Sequence, residues 1–394
     1  MCGITGVISK KRIDKNIIES MTDIIIHRGP DGCGYYYGDG FVFGHRRLSI
    51  VDLSEAGHQP MKFNKRYIIT YNGEIYNHVE LKKELEQNGY IFKTHTDTEV
   101  IMASYDFWGK DCLNKFNGMW AFVIYDKQNS KYFISRDRFG IKPFYYYKNE
   151  DTFIFSSEIK AILMHPQVES KPNMNFLNDY IQSTCKEYIE ETAFENIYRF
   201  DFSSYFEGTI EELLNDFKVD RFWEIKPNLS HEKFDEKKLK VYVKQYYDLL
   251  EDAVRIRLRA DVKVGSALSG GLDSGSIVYL VNKLLKDQGK EGLQETFSSV
   301  YKSDGTQDCD ESHYIDIMAN KLGVHSNQIE PNEKEISIEI KKMIWHLENL
   351  PENSLMSSWY TFKLVSSTDV KVTLDGQGAD EQLAGYLPYL INYI

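Results

Sequence analysis

The sequence predicts two domains of different class, an α+β layered domain followed by an α/β domain with a parallel sheet. Three observations carry this. The chain has 394 residues, too many for one ordinary core and few for three. Its first 165 residues read as short strands broken by turns, with few helices. From about Lys240, strands and helices alternate, the grammar of right-handed βαβ crossovers.

The elements follow in order. Ile13, Ile17, Ile18, Met21, Ile24 and Ile25 keep a helical period that Gly29-Pro30 ends. Tyr35 to Phe43 is a hairpin turning at Gly38-Asp39-Gly40. Arg66 to Tyr71 is a strand. Asn77 with Glu80, and Thr96 with Glu99, each spell a capping box before a helix. Met119–Tyr125, Lys131–Arg136, Phe144–Tyr147 and Phe153–Phe155 are further strands. Residues 166–234 are acidic and irregular, and are expected to connect a domain at 2–165 to one at 235–394. There a helix (Asp235 to Arg259) precedes the strand Val262–Leu268, a glycine-rich loop and a helix through Leu285. Next come the strand Thr296–Tyr301, a helix Glu311–Leu322 closed by Gly323, and the strand Val324–Ile329. Two helical stretches lead to the strand Val370–Leu374.

Composition narrows the setting. Hydrophobic residues at 42% and charged residues at 27% exclude wholesale disorder. A net charge of −12 argues against a nucleic-acid partner, which needs a basic footprint. The five cysteines (Cys2, Cys33, Cys112, Cys185, Cys309) are widely spaced and form no CxxC pair, unlike a disulfide framework or zinc site. Basic residues arrive too early for a signal peptide, and no apolar run approaches the ~18 residues of a membrane helix. A reduced, cytoplasmic protein is expected.

Cys2 is the first residue with chemistry. If Met1 is removed, one residue supplies a thiol and a free α-amine, a nucleophile beside its own base. Alone this is weak. His27-Arg-Gly-Pro-Asp-Gly32, His45-Arg-Arg-Leu-Ser-Ile50, Tyr71-Asn-Gly-Glu-Ile-Tyr-Asn77, Thr96-Asp-Thr-Glu99, Arg136-Asp-Arg-Phe-Gly-Ile-Lys-Pro143 and Ser156-Ser-Glu-Ile-Lys160 follow it in order. With them the chain resembles the class II glutamine amidotransferases, whose glutaminase domain is an N-terminal-nucleophile hydrolase with an αββα sandwich. The resemblance makes Cys2 the nucleophile and Arg47 the bidentate clamp on the glutamine carboxylate. Asn72 and Gly73 become the oxyanion hole, and Glu74 and Asp97 hold the substrate's α-amino group.

The loop Ser269-Gly270-Gly271-Leu272-Asp273-Ser274 lies between a strand and a helix, where glycines, hydroxyls and a helix N-terminus suit a polyanion. It lacks the GK[ST] ending of phosphoryl-transfer loops. The hexapeptide resembles the pyrophosphate loop of ATP pyrophosphatases, with Leu268 at the adenine and Asp273 on Mg²⁺. Leu374-Asp-Gly-Gln-Gly-Ala-Asp-Glu-Gln-Leu-Ala-Gly-Tyr386 resembles the second signature of asparagine synthetases. It implies Asp375 and Gly376 at the nucleotide and Asp380 as a second Mg²⁺ ligand. Gln377 stands where the family usually has a glutamate linked to intermediate formation.

Over nearly its whole length the chain resembles glutamine-hydrolysing asparagine synthetases. The resemblance implies glutamine, aspartate and ATP as substrates, with Mg²⁺, and leaves a homodimer open. It also implies an ATP-pyrophosphatase-like second domain that is C-terminally truncated at Ile394. Two other readings stay open: an amidotransferase of the same family acting on another carboxylate, such as a sugar acid, and a glutaminase or partner subunit with an inactive second domain.

Overall fold

The computed structural model describes residues 1–183, 190–228, 233–290, 294–303, 305–348 and 355–389. Cys185 and the last five residues of the apolar stretch Leu387–Ile394 lie outside them. The chain divides into two compact units, Met1–Leu229 and Ser230–Ile394.

In chain order the first unit contains β1 (Gly3–Ser9), α1 (Lys15–Asp23), β2 (Gly32–Tyr37), β3 (Phe41–Arg47), β4 (Met61–Phe63), β5 (Tyr67–Ile75), α2 (His78–Gln87) and α3 (Asp97–Trp108). It continues with α4 (Cys112–Lys115), β6 (Gly118–Asp126), β7 (Lys131–Arg136), β8 (Tyr145–Lys148), β9 (Thr152–Ser156), α5 (Ile159–Leu163), α6 (Met174–Ser183), β10 (Ile197–Arg199), β11 (Ser204–Gly208), α7 (Ile210–Asn215) and β12 (Asp220–Arg221). The strands form two antiparallel sheets, ordered β10-β8-β9-β1-β3-β2 and β12-β11-β7-β6-β5-β4.

Strand periodicity explains the layering. Successive side chains point to opposite faces. Ile4 and Ile8 of β1 therefore pack with Ile68, Val123 and Ile134 of the other sheet. Val7 faces the opposite way, onto Ile18 and Met21 of α1 and Ile162 of α5. On β5, Ile69 and Tyr71 pack against Val100 and Ile101 of α3. Both faces of both sheets are covered, and the result is the expected αββα sandwich. Each large apolar side chain buried this way contributes roughly 1.5–3 kcal/mol.

The segment expected to connect the domains does more than connect. Within 190–228 it supplies β10 to the edge of one sheet, and β11 and β12 to the other. These strands are three, five and two residues long, too short to show an alternating pattern. The capping boxes also differ. Thr96 caps α3, its hydroxyl accepting from Glu99 N, but the Glu99 carboxylate turns to the N–H groups of Lys93 and Thr94. Asn77 makes no side-chain cap on α2. Instead its amide donates to Lys115 O and accepts from Asn117 N, tying the helix start to the approach of β6.

The second unit contains α8 (Glu236–Arg257), β13 (Val264–Ala267), α9 (Leu272–Asp287), β14 (Glu295–Ser299), α10 (Ser312–Leu322), β15 (His325–Ile329), α11 (Ile336–Leu347), α12 (Leu355–Val365), β16 (Val372–Thr373) and α13 (Ala379–Leu383). Its sheet is parallel and ordered β15-β14-β13-β16. The chain winds outward from β13 through β14 to β15, then returns to the other side of β13. That reversal opens a crevice past the carboxyl ends of β13 and β16, where α/β sheets bind ligands. Among the described residues no helix is long and apolar enough to cross a membrane.

Candidate active sites

β1 begins one residue after Cys2 and is held between β3 and β9, with Gly3 opposite Arg46. The thiol is thereby fixed near the end of β3, where Leu48 N donates to its Sγ at 3.4 Å. Arg28 Nε donates to the Cys2 carbonyl at 3.0 Å, and Arg28 Nη1 reaches Glu158 at 2.9 Å. Glu158 also receives His27 and Lys160. Burial alone would raise the Glu158 carboxyl, but the His27 bond and the Arg28 and Lys160 charges outweigh it and bring it down to about 2. Two of the sequence motifs, around His27 and Glu158, thus converge on the backbone of Cys2.

A cavity of about 60 Å³ brings together Cys2, Arg47, Asn72, Gly73, Glu74 and Asp97, all six residues expected at the first site. Burial pushes the Cys2 thiol pKa up. Asn72 stands on β5, buried, and its Nδ2 has no hydrogen-bond partner among the described residues. A buried donor left unsatisfied is costly and calls for a ligand. The Arg47 guanidinium donates Nη1 to Ser54 O at 2.7 Å and Nη2 to Asp52 O. Gly57 passes so close that a Cβ there would sit 1.9 Å from Arg47 Nη2. A guanidinium has more donors than these two bonds use, so the loop orients Arg47 without exhausting it. Asp97, at the start of α3, accepts from Tyr71 OH at 2.8 Å and Ile75 N at 2.9 Å. Burial nevertheless raises its carboxyl above the usual range.

The cavity also has lining residues not expected from the sequence, Gln59, Tyr71 and Lys142 among them. Gln59 accepts from Tyr71 N at 2.8 Å through Oε1 and approaches Thr98 with Nε2, bracing the wall. No pattern in the sequence marks it. Tyr71 lay in a quoted motif, but its hydroxyl's bond to Asp97 is a long-range contact. Lys142 also lay in a quoted motif, Arg136–Pro143. Asp137 accepts the backbone N–H groups of Phe139, Ile141 and Lys142, and Arg136 Nε donates to Lys142 O at 2.7 Å. The turn aims the Lys142 side chain into the cavity, where burial, and then the Arg28 charge, lower its pKa to about 8.

In the second unit a cavity of about 150 Å³ at the sheet's carboxyl edge is lined by Leu268, Ser269, Asp375 and Gln377, and by Phe297, Ser299 and Thr361, which the sequence did not suggest. Those three come from β14 and α12; parallel pairing with β13 places β14 here, and the Ser299–Thr361 hydroxyl contact at 2.9 Å ties α12 to it. The hexapeptide loop is wired to itself: Ser274 Oγ meets Ser269 Oγ at 2.9 Å and receives Ser269 N at 3.1 Å. Gly271 caps α9, leaving that helix's first N–H groups at the crevice. Asp375 accepts from Ala267 N at 2.9 Å, joining the ends of β13 and β16. Gly376 lies against the loop, where a Cβ would meet Ser274 N at 2.7 Å and Asp273 C at 2.8 Å. Gly270, Gly271, Leu272, Asp273, Ser274, Gly376 and Asp380 border the cavity's loops without lining it. Slight burial, then the Asp273 and Glu381 charges, raise the Asp380 carboxyl, so Asp273 and Asp380 feel one another. Among the described residues no group of three His, Cys, Asp or Glu is placed to hold a metal by itself.

An αββα sandwich with a cysteine beside its first strand, followed by a parallel-sheet unit with a glycine-rich loop, defines a glutamine amidotransferase joined to a second domain. Residues 1–223 match the glutamine amidotransferase domain family, and residues 245–393 match the asparagine synthase family. The chain belongs to the glutamine-hydrolysing asparagine synthetase family. It is 34% identical to asparagine synthetase [glutamine-hydrolyzing] 1 of Bacillus subtilis, over 99% of this chain and 59% of that protein. With asparagine synthetase [glutamine-hydrolyzing] 3 of the same organism it shares 31% identity, over 98% of this chain and 63% of that one. A relative from Methanocaldococcus jannaschii is 36% identical over the whole of this chain and 77% of its own. The chain thus spans about three fifths of the length of the two Bacillus relatives.

Proposed function

We propose that the chain is a glutamine amidotransferase that makes ammonia at Cys2 and uses it at the ATP site of the second unit to convert aspartate to asparagine. Loss of Met1 frees the Cys2 amine. The thiol gives its proton to that amine, and the sulfur attacks the glutamine side-chain carbonyl. Asn72 Nδ2 and the Gly73 N–H take the oxyanion, while Arg47 binds the carboxylate and Glu74 and Asp97 the α-amine. Ammonia leaves with the amine's proton, and water cleaves the thioester to glutamate. At the second site Ser269–Ser274, with Leu268, Asp375 and Gly376, hold ATP. Asp273 and Asp380, whose charges repel one another, would hold Mg²⁺, which would neutralise phosphate charge; carboxylates suit such a hard cation.

The observation that carries the reading is the unsatisfied, buried Asn72 amide in the same cavity as Cys2. The test of the acceptor is pyrophosphate release from Mg-ATP with aspartate, against a panel of sugar uronates. Release with a uronate and none with aspartate would replace asparagine synthesis by the second reading, which the neutral Gln377 on the cavity wall favours. The test of the first site is amino-terminal mass spectrometry beside a glutaminase assay. Retained Met1 in an active enzyme would refute the amine's role.

A further inference from the structure

We propose that Lys142 is a positioning residue for glutamine hydrolysis, a fixed positive charge that favours the Cys2 thiolate and the neutral Cys2 amine. The inference rests on the glutaminase reading above and adds a residue to it. Its basis is geometric. Lys142 is 4% exposed, and its side chain enters the cavity that holds Cys2 and Glu74. Its backbone is pinned on both sides, by Asp137 at its N–H and Arg136 at its carbonyl. The contact its ammonium makes is with Met1 Sδ, at 3.0 Å, and sulfur is a weak acceptor. Among the described residues no carboxylate lies within ion-pair distance of it. A buried cation held this way is expensive. Cleavage of Met1 would remove this sulfur contact.

The groups that face this charge are the Cys2 thiol, the terminal amine, Arg28, Glu74 and Asp137. With Met1 in place the terminal amine is already pushed down to about 5, by burial first, against the Cys2 charge, and then by Arg28 and Lys142. A positive charge opposes protonation of the amine and stabilises the thiolate, so both effects keep the nucleophile–base pair ready at neutral pH. In the reaction the proton passes from Sγ to the amine and on to the departing ammonia. Lys142 itself neither gains nor loses one.

The test is the pH profile of two variants of the mature protein, with thermal unfolding to confirm that each folds. Lys142→Met keeps the length and removes the charge. It should move the acid limb of kcat/KM for glutamine upward by about one pH unit, roughly a tenfold loss on that limb, with KM little changed. Iodoacetamide alkylation of Cys2 should show the same upward shift. Lys142→Arg keeps its charge to higher pH than a lysine pushed down to about 8 with Met1 in place, so it should hold the acid limb and extend activity to higher pH than wild type. An unmoved profile in Lys142→Met, or a raised KM with an unmoved profile, would overturn the proposal. If Lys142→Met does not fold, an alkaline limb shared by Lys142→Arg and wild type overturns it equally. Should no glutaminase activity be found, the proposed function falls, while the alkylation profiles still decide the role of Lys142.

Discussion

At the scale of single residues, Asn72 and Arg47 make a pair that kinetics can separate. Asn72 Nδ2 is buried without a partner, so it gains its bond only when an oxyanion forms. Asn72→Ala should lower kcat by ~10²–10³ with little change in KM. Arg47 also serves the loop at Asp52 and Ser54. Arg47→Ala should therefore raise KM steeply through the lost carboxylate clamp and loosen that loop. A steady-state comparison of the two variants checks both; matching changes in one parameter would mean the roles are wrong. Glu158 gives a stability test instead. Its carboxyl is held at about 2 against an ordinary 4.5. A depressed carboxylate contributes stability that is fully present above its unfolded pKa and is lost as pH falls through the folded one. The difference in Tm between wild type and Glu158→Gln should be largest above pH 5 and shrink as pH falls toward 2. A constant difference would mean the Arg28–Glu158–Lys160 charges do not stabilise the fold.

At the scale of elements, the second site depends on two loops packed backbone to backbone. A methyl group at Gly376 would strike Ser274 N and the Asp273 carbonyl carbon, and neither belongs to a flexible side chain. Gly376→Ala should separate the loops and weaken ATP binding at least tenfold, read by calorimetry, while glutamine hydrolysis is untouched. Unchanged ATP affinity would show that the hexapeptide does not need its neighbour. These elements were legible in the sequence because each is long or bounded by punctuation. The strand Lys131–Arg136 has the expected bounds, and Gly323 closes α10 as expected, in the left-handed conformation. What escaped was set by distant partners. Strands β10 and β11 exist because β8 and β7 offer them a free edge, and β12 adds to β11. Asn77 gives up a local cap because Lys115 and Asn117 are within reach. At the first site the ordered motifs contain the six expected residues that share the cavity, whereas Gln59 is placed there by its bonds to Tyr71 and Thr98, which no motif announces.

At the scale of the whole molecule, the two proposed sites lie in two units built on different principles. The first places Cys2, the proposed nucleophile, just before the start of an interior strand of an antiparallel sheet whose both faces are packed, so its cavity is small and its groups are heavily buried. The second uses the crevice of a four-stranded parallel sheet, with a wider cavity lined mainly by hydroxyls and aromatic rings. Each cavity is lined entirely by residues of its own unit. Substitutions should therefore act on one half-reaction at a time. Cys2→Ala should abolish glutamine hydrolysis and leave an ammonia-dependent, ATP-consuming reaction at wild-type rate. Asp273→Asn should do the opposite, cutting Mg-ATP binding and pyrophosphate release while glutamine hydrolysis continues, because it halves the carboxylate pair that Asp380 completes. The decisive measurement follows glutamate, pyrophosphate and AMP together, in the full-length protein, with glutamine or ammonium as nitrogen source. Loss of the ammonia-dependent reaction in Cys2→Ala would mean that the thiol, or the fold around it, is needed by the second site as well, and that the two half-reactions are not separately housed.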